Sequence, residues 1–223
     1  MSDARSLDIW TWAHAVVTLA GCALAALVGR PWPLSGVALL SVAVLLWRSR
    51  GKYAPGGAFG PANAVTAIRC ALTLALGLPD RGFSSAALAA LVAFAWVLDG
   101  LDGWIARRRG LVSPFGAAFD LETDALLVLV ATLQLWQRGR LGVWILVPGL
   151  LRYLYVLALA IMPPVAGQVP RSLLGRLAFV TLIAGLVAAF ARADAAGTAL
   201  AVVGAAAVGA SFAHSFAWSY RGR

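Results

Sequence analysis

Long apolar stretches follow one another along almost the whole chain, with short polar connections between them. A helix needs about 20 mostly apolar residues to cross the hydrocarbon layer of a membrane. In lipid every backbone polar group must be bonded within the protein, so such stretches fold as helices. We therefore predict an all-α integral membrane protein with eight spans. The spans are 9–29, 32–47, 61–78, 83–105, 116–137, 141–162, 173–191 and 195–219.

The composition supports a membrane location. Hydrophobic residues make up 61% of the chain and charged residues 12%, whereas soluble domains carry about 25% charged residues. The net charge is +9, which in a soluble protein would suggest nucleic acid. Here the arginines lie between apolar runs, so membrane topology is the simpler cause. Anionic lipid head groups and diphosphates are the expected partners, and no nucleic-acid-binding module is visible.

One short segment holds most of the acidic side chains. Of nine acidic residues in the chain, five lie between positions 99 and 124: Asp99, Asp102, Asp120, Glu122 and Asp124. Carboxylates at membrane depth are costly unless they are paired or bound to a cation, so they indicate a functional site. The alternative is a set of buried salt bridges to the three arginines at 107–109.

The spacing of the aspartates predicts that they meet. Residues three or four apart share one face of a helix, as Asp99 with Asp102 and Asp120 with Asp124 do. Ser113-Pro114 should break the helix between the two pairs. Glu122 falls off the aspartate face. Two helices joined by this short turn would direct four carboxylates at one volume, where divalent cations could neutralise them.

The same residues carry a resemblance to a known family. The chain matches the signature DxxDGxxAR(x8)GxxxDxxxD at all its fixed positions, which are Asp99, Asp102, Gly103, Ala106, Arg107, Gly116, Asp120 and Asp124. This resembles the membrane-embedded CDP-alcohol phosphotransferases. The resemblance implies a six-helix transmembrane core, which we place at 61–223. The Pro- and Gly-rich loop at 48–60 separates it from a two-helix N-terminal extension, so that 1–60 forms a first unit.

The resemblance also implies a reaction. A substituted phosphate moves from a CDP-linked donor, most often CDP-diacylglycerol, to the hydroxyl of a small alcohol, and CMP leaves. Two Mg²⁺ ions, or Mn²⁺, would be held by Asp99, Asp102, Asp120 and Asp124, and Asp124 would also be the catalytic base. A donor of the CDP-choline or CDP-ethanolamine type, with diacylglycerol as acceptor, stays open. Members of the family are typically homodimers.

Polar residues of the third span are expected to bind the donor. Asn63, Thr66 and Arg69 follow at three-residue steps and so stay near one face. They resemble the PNxxTxxR start of many family members, which lines the nucleotide-diphosphate pocket. The donor-binding set predicted from the resemblance is Asn63, Thr66, Arg69, Gly103, Ala106, Arg107 and Gly116. The alternative for the third span is an N-cap followed by a snorkelling arginine.

Three further arginines are candidates for binding a phosphorylated acceptor. Arg152 lies in the middle of a predicted span, where an arginine is expensive. Arg171 and Arg176 lie near the start of the next span. In family members with phosphorylated acceptors, basic residues of this region hold the acceptor phosphate. The alternative is that they are ordinary arginines of the cytoplasmic side.

The distribution of basic residues favours a cytoplasmic N-terminus under the positive-inside rule. That orientation places the aspartates on the cytoplasmic side of a bacterial-type inner membrane. Two other function classes remain open. An ion or proton transporter could hold intramembrane carboxylates, although no internal repeat is apparent. A membrane-bound metal hydrolase would release product without an acceptor alcohol.

Overall fold

The computed structural model describes residues 3–78, 83–163, 173–192 and 194–220. Within these ranges the chain forms eight α-helices, one short 3₁₀ turn at Val143–Ile145 and no β-strand. The helices are α1 Asp3–Val28, α2 Trp32–Arg48, α3 Gly60–Leu76, α4 Ser85–Arg108, α5 Pro114–Gln137, α6 Leu146–Ile161, α7 Leu173–Ala191 and α8 Ala195–Ser219. The all-α prediction is confirmed, and one helix lies on each predicted span.

In the part of the chain that the structure describes, five segments are long and apolar enough to cross a membrane: α1, α4, the 3₁₀ turn continued by α6, α7 and α8. Such a set is consistent with a multi-pass membrane protein. Helix α2 is apolar but has only 17 residues. Helices α3 and α5 carry the polar residues of the predicted site, which lower their apolar character. Eight spans, arranged as a six-helix core with an extension, therefore remain a prediction.

Helix α5 forms the central axis of the bundle. Every side chain from Ala125 to Leu135 is buried, which is typical of a helix surrounded by others. Its neighbours are α1, α3, α4, α6 and α7. The N-terminal turns of α5 carry the carboxylates, so their position at the start of the most enclosed helix places them close to several other helices.

The first two helices pack directly on the rest of the bundle. Helix α1 contacts α5 and α6, and the Gln137 side-chain amide at the end of α5 donates to the Ala25 carbonyl at 2.9 Å. The connection from α2 to α3 is a loop. In it Gly57 has φ +84°, and a Cβ there would lie 2.7 Å from the Gly51 carbonyl oxygen, so a side chain is excluded.

Candidate active site

The turn between α4 and α5 brings the two aspartate pairs together. Helix α4 continues to Arg108, so Asp99 and Asp102 lie in its last turns. Helix α5 begins at Pro114, with Ser113 as its N-cap: the Gly116 amide donates to the Ser113 hydroxyl oxygen at 3.0 Å. The predicted break at Ser113-Pro114 is confirmed. The two helices thus meet at the end where each carries its carboxylates.

Three of the four aspartates form an open acidic group. Asp99, Asp120 and Asp124 can each place an oxygen within 4.8 Å of the others. Their side chains are 34%, 40% and 22% exposed, respectively. Asp102 lies deeper and is 4% exposed. The four carboxylates therefore lie around one volume, with three at its opening and one at its base.

The Arg69 guanidinium lies among all four carboxylates. Its Nη1 contacts Asp102 Oδ2 and Asp120 Oδ1, each at 2.6 Å. Its Nη2 contacts Asp99 Oδ1 at 3.1 Å and also pairs with Asp124. The side chain of Arg69 is only 1% exposed. Donor binding by Arg69 stays a prediction; the side-chain partners of Arg69 in this structure are the aspartates.

Two further contacts hold this arrangement. The Arg69 Nε donates to the backbone carbonyl of Ala95 in α4 at 3.2 Å. The Thr66 hydroxyl donates to Asp102 Oδ2 at 2.9 Å. Thr66 and Arg69 lie on the same face of α3, as the three-residue step predicts. Helix α3 thus contributes the hydrogen-bond donors to the carboxylates of α4 and α5.

The remaining predicted donor-binding residues lie around this cluster. The Asn63 amide donates to the carbonyls of Phe59, at 2.6 Å, and Tyr53, at 3.2 Å. A Cβ at Gly116 would lie 3.0 Å from Asn63 Oδ1, so this glycine allows α3 and α5 to approach closely.

The other three predicted donor-binding residues lie on α4. A Cβ at Gly103 would lie 3.1 Å from the Arg107 Nη1. Arg107 is exposed and Ala106 is half-buried. Donor binding by these residues stays a prediction.

Of the predicted acceptor-binding arginines, Arg152 pairs with Glu122 on α5. Its Nη2 pairs with Glu122 Oε1 at 2.6 Å, and Glu122 is 4% exposed. Residue 122 is about 160° around α5 from the positions of Asp120 and Asp124. Acceptor binding by Arg152 stays a prediction. Arg176 is exposed on α7, and Arg171 lies outside the described residues.

The carboxylate oxygens of the aspartate cluster are suitable ligands for a hard divalent cation. Mg²⁺ and Mn²⁺ prefer carboxylate and carbonyl oxygens, and the cluster offers several carboxylates against a single arginine. Asp99, Asp120 and Asp124 are open enough for an ion to reach them. Asp102 was predicted as a fourth ligand; it lies behind the other three, hydrogen-bonded to Thr66 and Arg69.

Comparison with known proteins gives the same assignment as the signature. The sequence model of the CDP-alcohol phosphatidyltransferase family matches residues 59–213. The chain belongs to this family. A segment of the chain is also similar to a CDP-diacylglycerol–glycerol-3-phosphate 3-phosphatidyltransferase from Pseudomonas fluorescens, with 38% identity over 90 residues. That alignment covers 39% of this chain and 45% of the relative. No solved structure matches the chain.

Two contacts of this family member were not found from its sequence. The Glu122–Arg152 pair joins residues 30 apart on two helices, and helix periodicity gives no distance between helices. The central position of Arg69 left a clearer signal. An arginine buried in an apolar helix needs polar partners, and most of the acidic residues in the sequence lie between positions 99 and 124.

Proposed function

We propose that this protein transfers a phosphatidyl group from CDP-diacylglycerol to the hydroxyl of a small polar alcohol and releases CMP. The observation that carries the proposal is the cluster of Asp99, Asp120 and Asp124 at the meeting of α4 and α5, within a chain that has the family signature. The Pseudomonas relative is named for transfer to glycerol 3-phosphate. That acceptor is the first to test here.

The transfer exchanges one phosphorus–oxygen bond for another. The acceptor hydroxyl oxygen forms a bond to the phosphorus that carries the diacylglycerol. The bond between that phosphorus and the oxygen bridging it to CMP breaks, and CMP takes the bonding electrons. The hydroxyl proton passes to Asp124, which is partly exposed at the opening of the cluster. Catalysis of this kind depends on positioning and on charge neutralisation.

Two Mg²⁺ ions held by Asp99, Asp102, Asp120 and Asp124 would neutralise the donor diphosphate and the leaving phosphate. Around them, the protein's own groups would orient the donor. Arg107 is exposed next to Gly103, where its planar guanidinium could bind a phosphate with two hydrogen bonds. The nucleotide would lie close to the helix backbone at Gly103 and Ala106, because these residues have no side chain or a small one.

We further propose that the protein spans a bacterial-type inner membrane with this cluster at the cytoplasmic side, where nucleotide-activated donors are made. In that arrangement residues 1–60 form a two-helix extension of the core at 61–223. A homodimer is proposed from the family resemblance. Crosslinking of the purified protein in detergent, followed by mass measurement, tests this assembly.

The test of the activity is acceptor-dependent CMP release. The purified protein is incubated with CDP-diacylglycerol, Mg²⁺ and each of glycerol 3-phosphate, inositol phosphate, serine and choline, and lipid products are identified by mass spectrometry. Release of CMP with one acceptor supports the transferase. CMP release without any acceptor would instead indicate a hydrolase. A paired assay with CDP-choline and diacylglycerol tests the reversed assignment of donor and acceptor.

A further inference from the structure

Each of the three guanidinium nitrogens of Arg69 has a polar partner in or beside the aspartate cluster. An arginine has five N–H donors in a rigid planar fork. Its Nε–H is directed to the Ala95 carbonyl, and its four terminal N–H groups face the four aspartates. Both terminal nitrogens of this guanidinium are thus engaged by carboxylates, by hydrogen bonds to Asp102, Asp120 and Asp124 and by an ion pair with Asp99. Its contacts therefore suit a group that arranges the carboxylates.

Arg69 also lies on the enclosed side of the cluster. Its side chain is 1% exposed, whereas the side chains of Asp99 and Asp120 are 34% and 40% exposed. The carboxylates therefore separate the guanidinium from the opening. A ligand that enters through the opening meets the aspartates first and Arg69 last.

Each carboxylate gives one oxygen to Arg69. The contacts are made by Oδ1 of Asp99, Asp120 and Asp124 and by Oδ2 of Asp102. A carboxylate has a second oxygen, which can bind a cation while the first stays hydrogen-bonded. Hydrogen bonds behind metal-binding carboxylates fix their orientation and tune their affinity for the ion.

The charges of the cluster complement this geometry. Four carboxylates close together repel one another strongly at membrane depth. One guanidinium offsets part of that repulsion and leaves an excess of negative charge. The excess is what a divalent cation needs in order to bind, and the partial offset lets the four side chains stay together before a cation arrives.

We infer that Arg69 is a positioning residue: it fixes the four aspartates from behind so that their remaining oxygens form the divalent-cation site. This inference rests on the proposed function, and it assigns Arg69 a role other than binding the donor. A donor contact would act on nucleotide affinity. A positioning residue acts on cation affinity even when no nucleotide is present.

The test is a titration of the full-length protein with Mn²⁺ in detergent, without nucleotide. Electron paramagnetic resonance of the free ion measures how much Mn²⁺ is bound. Arg69→Lys keeps the positive charge but removes the planar fork. We expect this variant to bind Mn²⁺ about 10- to 100-fold more weakly than the unchanged protein. Its kcat for CMP release should fall while its KM for the donor changes little.

The matched control is Arg109→Lys. Arg109 is an exposed arginine just after α4. Its replacement by lysine is the same chemical change, made at a residue outside the aspartate cluster. This variant should bind Mn²⁺ as the unchanged protein does. Size-exclusion chromatography and circular dichroism establish that each variant is folded. If Arg69→Lys does not fold, Thr66→Val carries the test, since it removes a single hydrogen bond to Asp102 and should weaken Mn²⁺ binding about 2- to 10-fold.

Three results would overturn the inference. Unchanged Mn²⁺ affinity in folded Arg69→Lys, together with weaker donor binding, would make Arg69 a donor contact. Tighter Mn²⁺ binding in that variant would make Arg69 a competitor of the cation. Unchanged Mn²⁺ affinity in Thr66→Val, in the case where Arg69→Lys cannot be folded, would also contradict it. By contrast, failure of the unchanged protein to bind Mn²⁺ would remove the metal chemistry of the proposed function itself.

Discussion

Arg69, which is buried, and Arg152, which is half-buried, lie on opposite sides of α5, and they are paired with carboxylates in different ways. Arg69 faces four aspartates, of which Asp120 and Asp124 come from α5. Arg152 faces Glu122 from the same helix. The first group has excess negative charge and is open at one side. The second is a balanced pair with Glu122 almost fully enclosed.

This difference distinguishes a group suited to catalysis from a pair that holds helices together. A balanced buried pair can satisfy itself, and its main effect is to hold two helices in one arrangement. A group with excess negative charge in an apolar helix bundle is costly, and further positive charge stabilises it. The excess negative charge and the exposure of the group around Arg69 therefore indicate a cation site. On this basis α5 has a chemical face toward α3 and α4 and a structural face toward α6.

The largest expected effect comes from removing one charge on the chemical face. Asp124→Asn keeps the size of the side chain but cannot accept the acceptor's proton. We expect CMP release to fall at least about 100-fold while the protein remains folded in detergent. The matched variant is Glu122→Gln, two residues away on the structural face, which should reduce CMP release less than tenfold. Near-normal activity in Asp124→Asn would remove this residue from its proposed role.

The next effect concerns the structural face. Arg152→Met leaves Glu122 buried without its partner, so we expect a loss of about 3–5 kcal/mol in the free energy of unfolding. SDS-induced unfolding in mixed micelles measures it. The double variant Arg152→Met with Glu122→Leu removes both charges and should recover most of the loss.

The same Arg152→Met variant also tests the role predicted from the sequence. If Arg152 only holds helices together, KM for the acceptor and KM for the donor should change by similar factors. A selective rise in KM for a phosphorylated acceptor would show that Arg152 binds its phosphate. In that case the separation of α5 into two faces would be wrong.

The sequence predicts the helices and the aspartate cluster because both follow from periodicity. The apolar runs gave a helix on each predicted span, and the spacing of the aspartates placed each pair on one face. Contacts between distant helices do not follow from periodicity. The signature covers Asp99 to Asp124 but not Arg69, whose position depends on how α3 packs against α4 and α5. For the same reason the pairing of Arg152 with Glu122 could not be predicted, and acceptor binding by Arg152 stays a prediction.

The smallest expected effect comes from a change at the start of α5, the helix that contributes carboxylates both to the aspartate cluster and to the Glu122–Arg152 pair. The Ser113 hydroxyl accepts from the Gly116 amide at 3.0 Å and donates to the Tyr53 carbonyl at 2.6 Å. Ser113→Ala removes the N-cap, so we expect a loss of about 1 kcal/mol in the free energy of unfolding. SDS-induced unfolding measures this loss as well.

The control is Ser84→Ala, because the Ser84 hydroxyl caps α4 in the same way, accepting from the Ala87 amide at 3.1 Å. This cap is at the opposite end of α4 from Asp99 and Asp102. If the start of α5 sets the positions of its carboxylates, Ser113→Ala should lower kcat several-fold and Ser84→Ala should not. Equal kcat in both variants would mean that packing along the buried part of α5, with Arg69, positions the carboxylates without help from the cap.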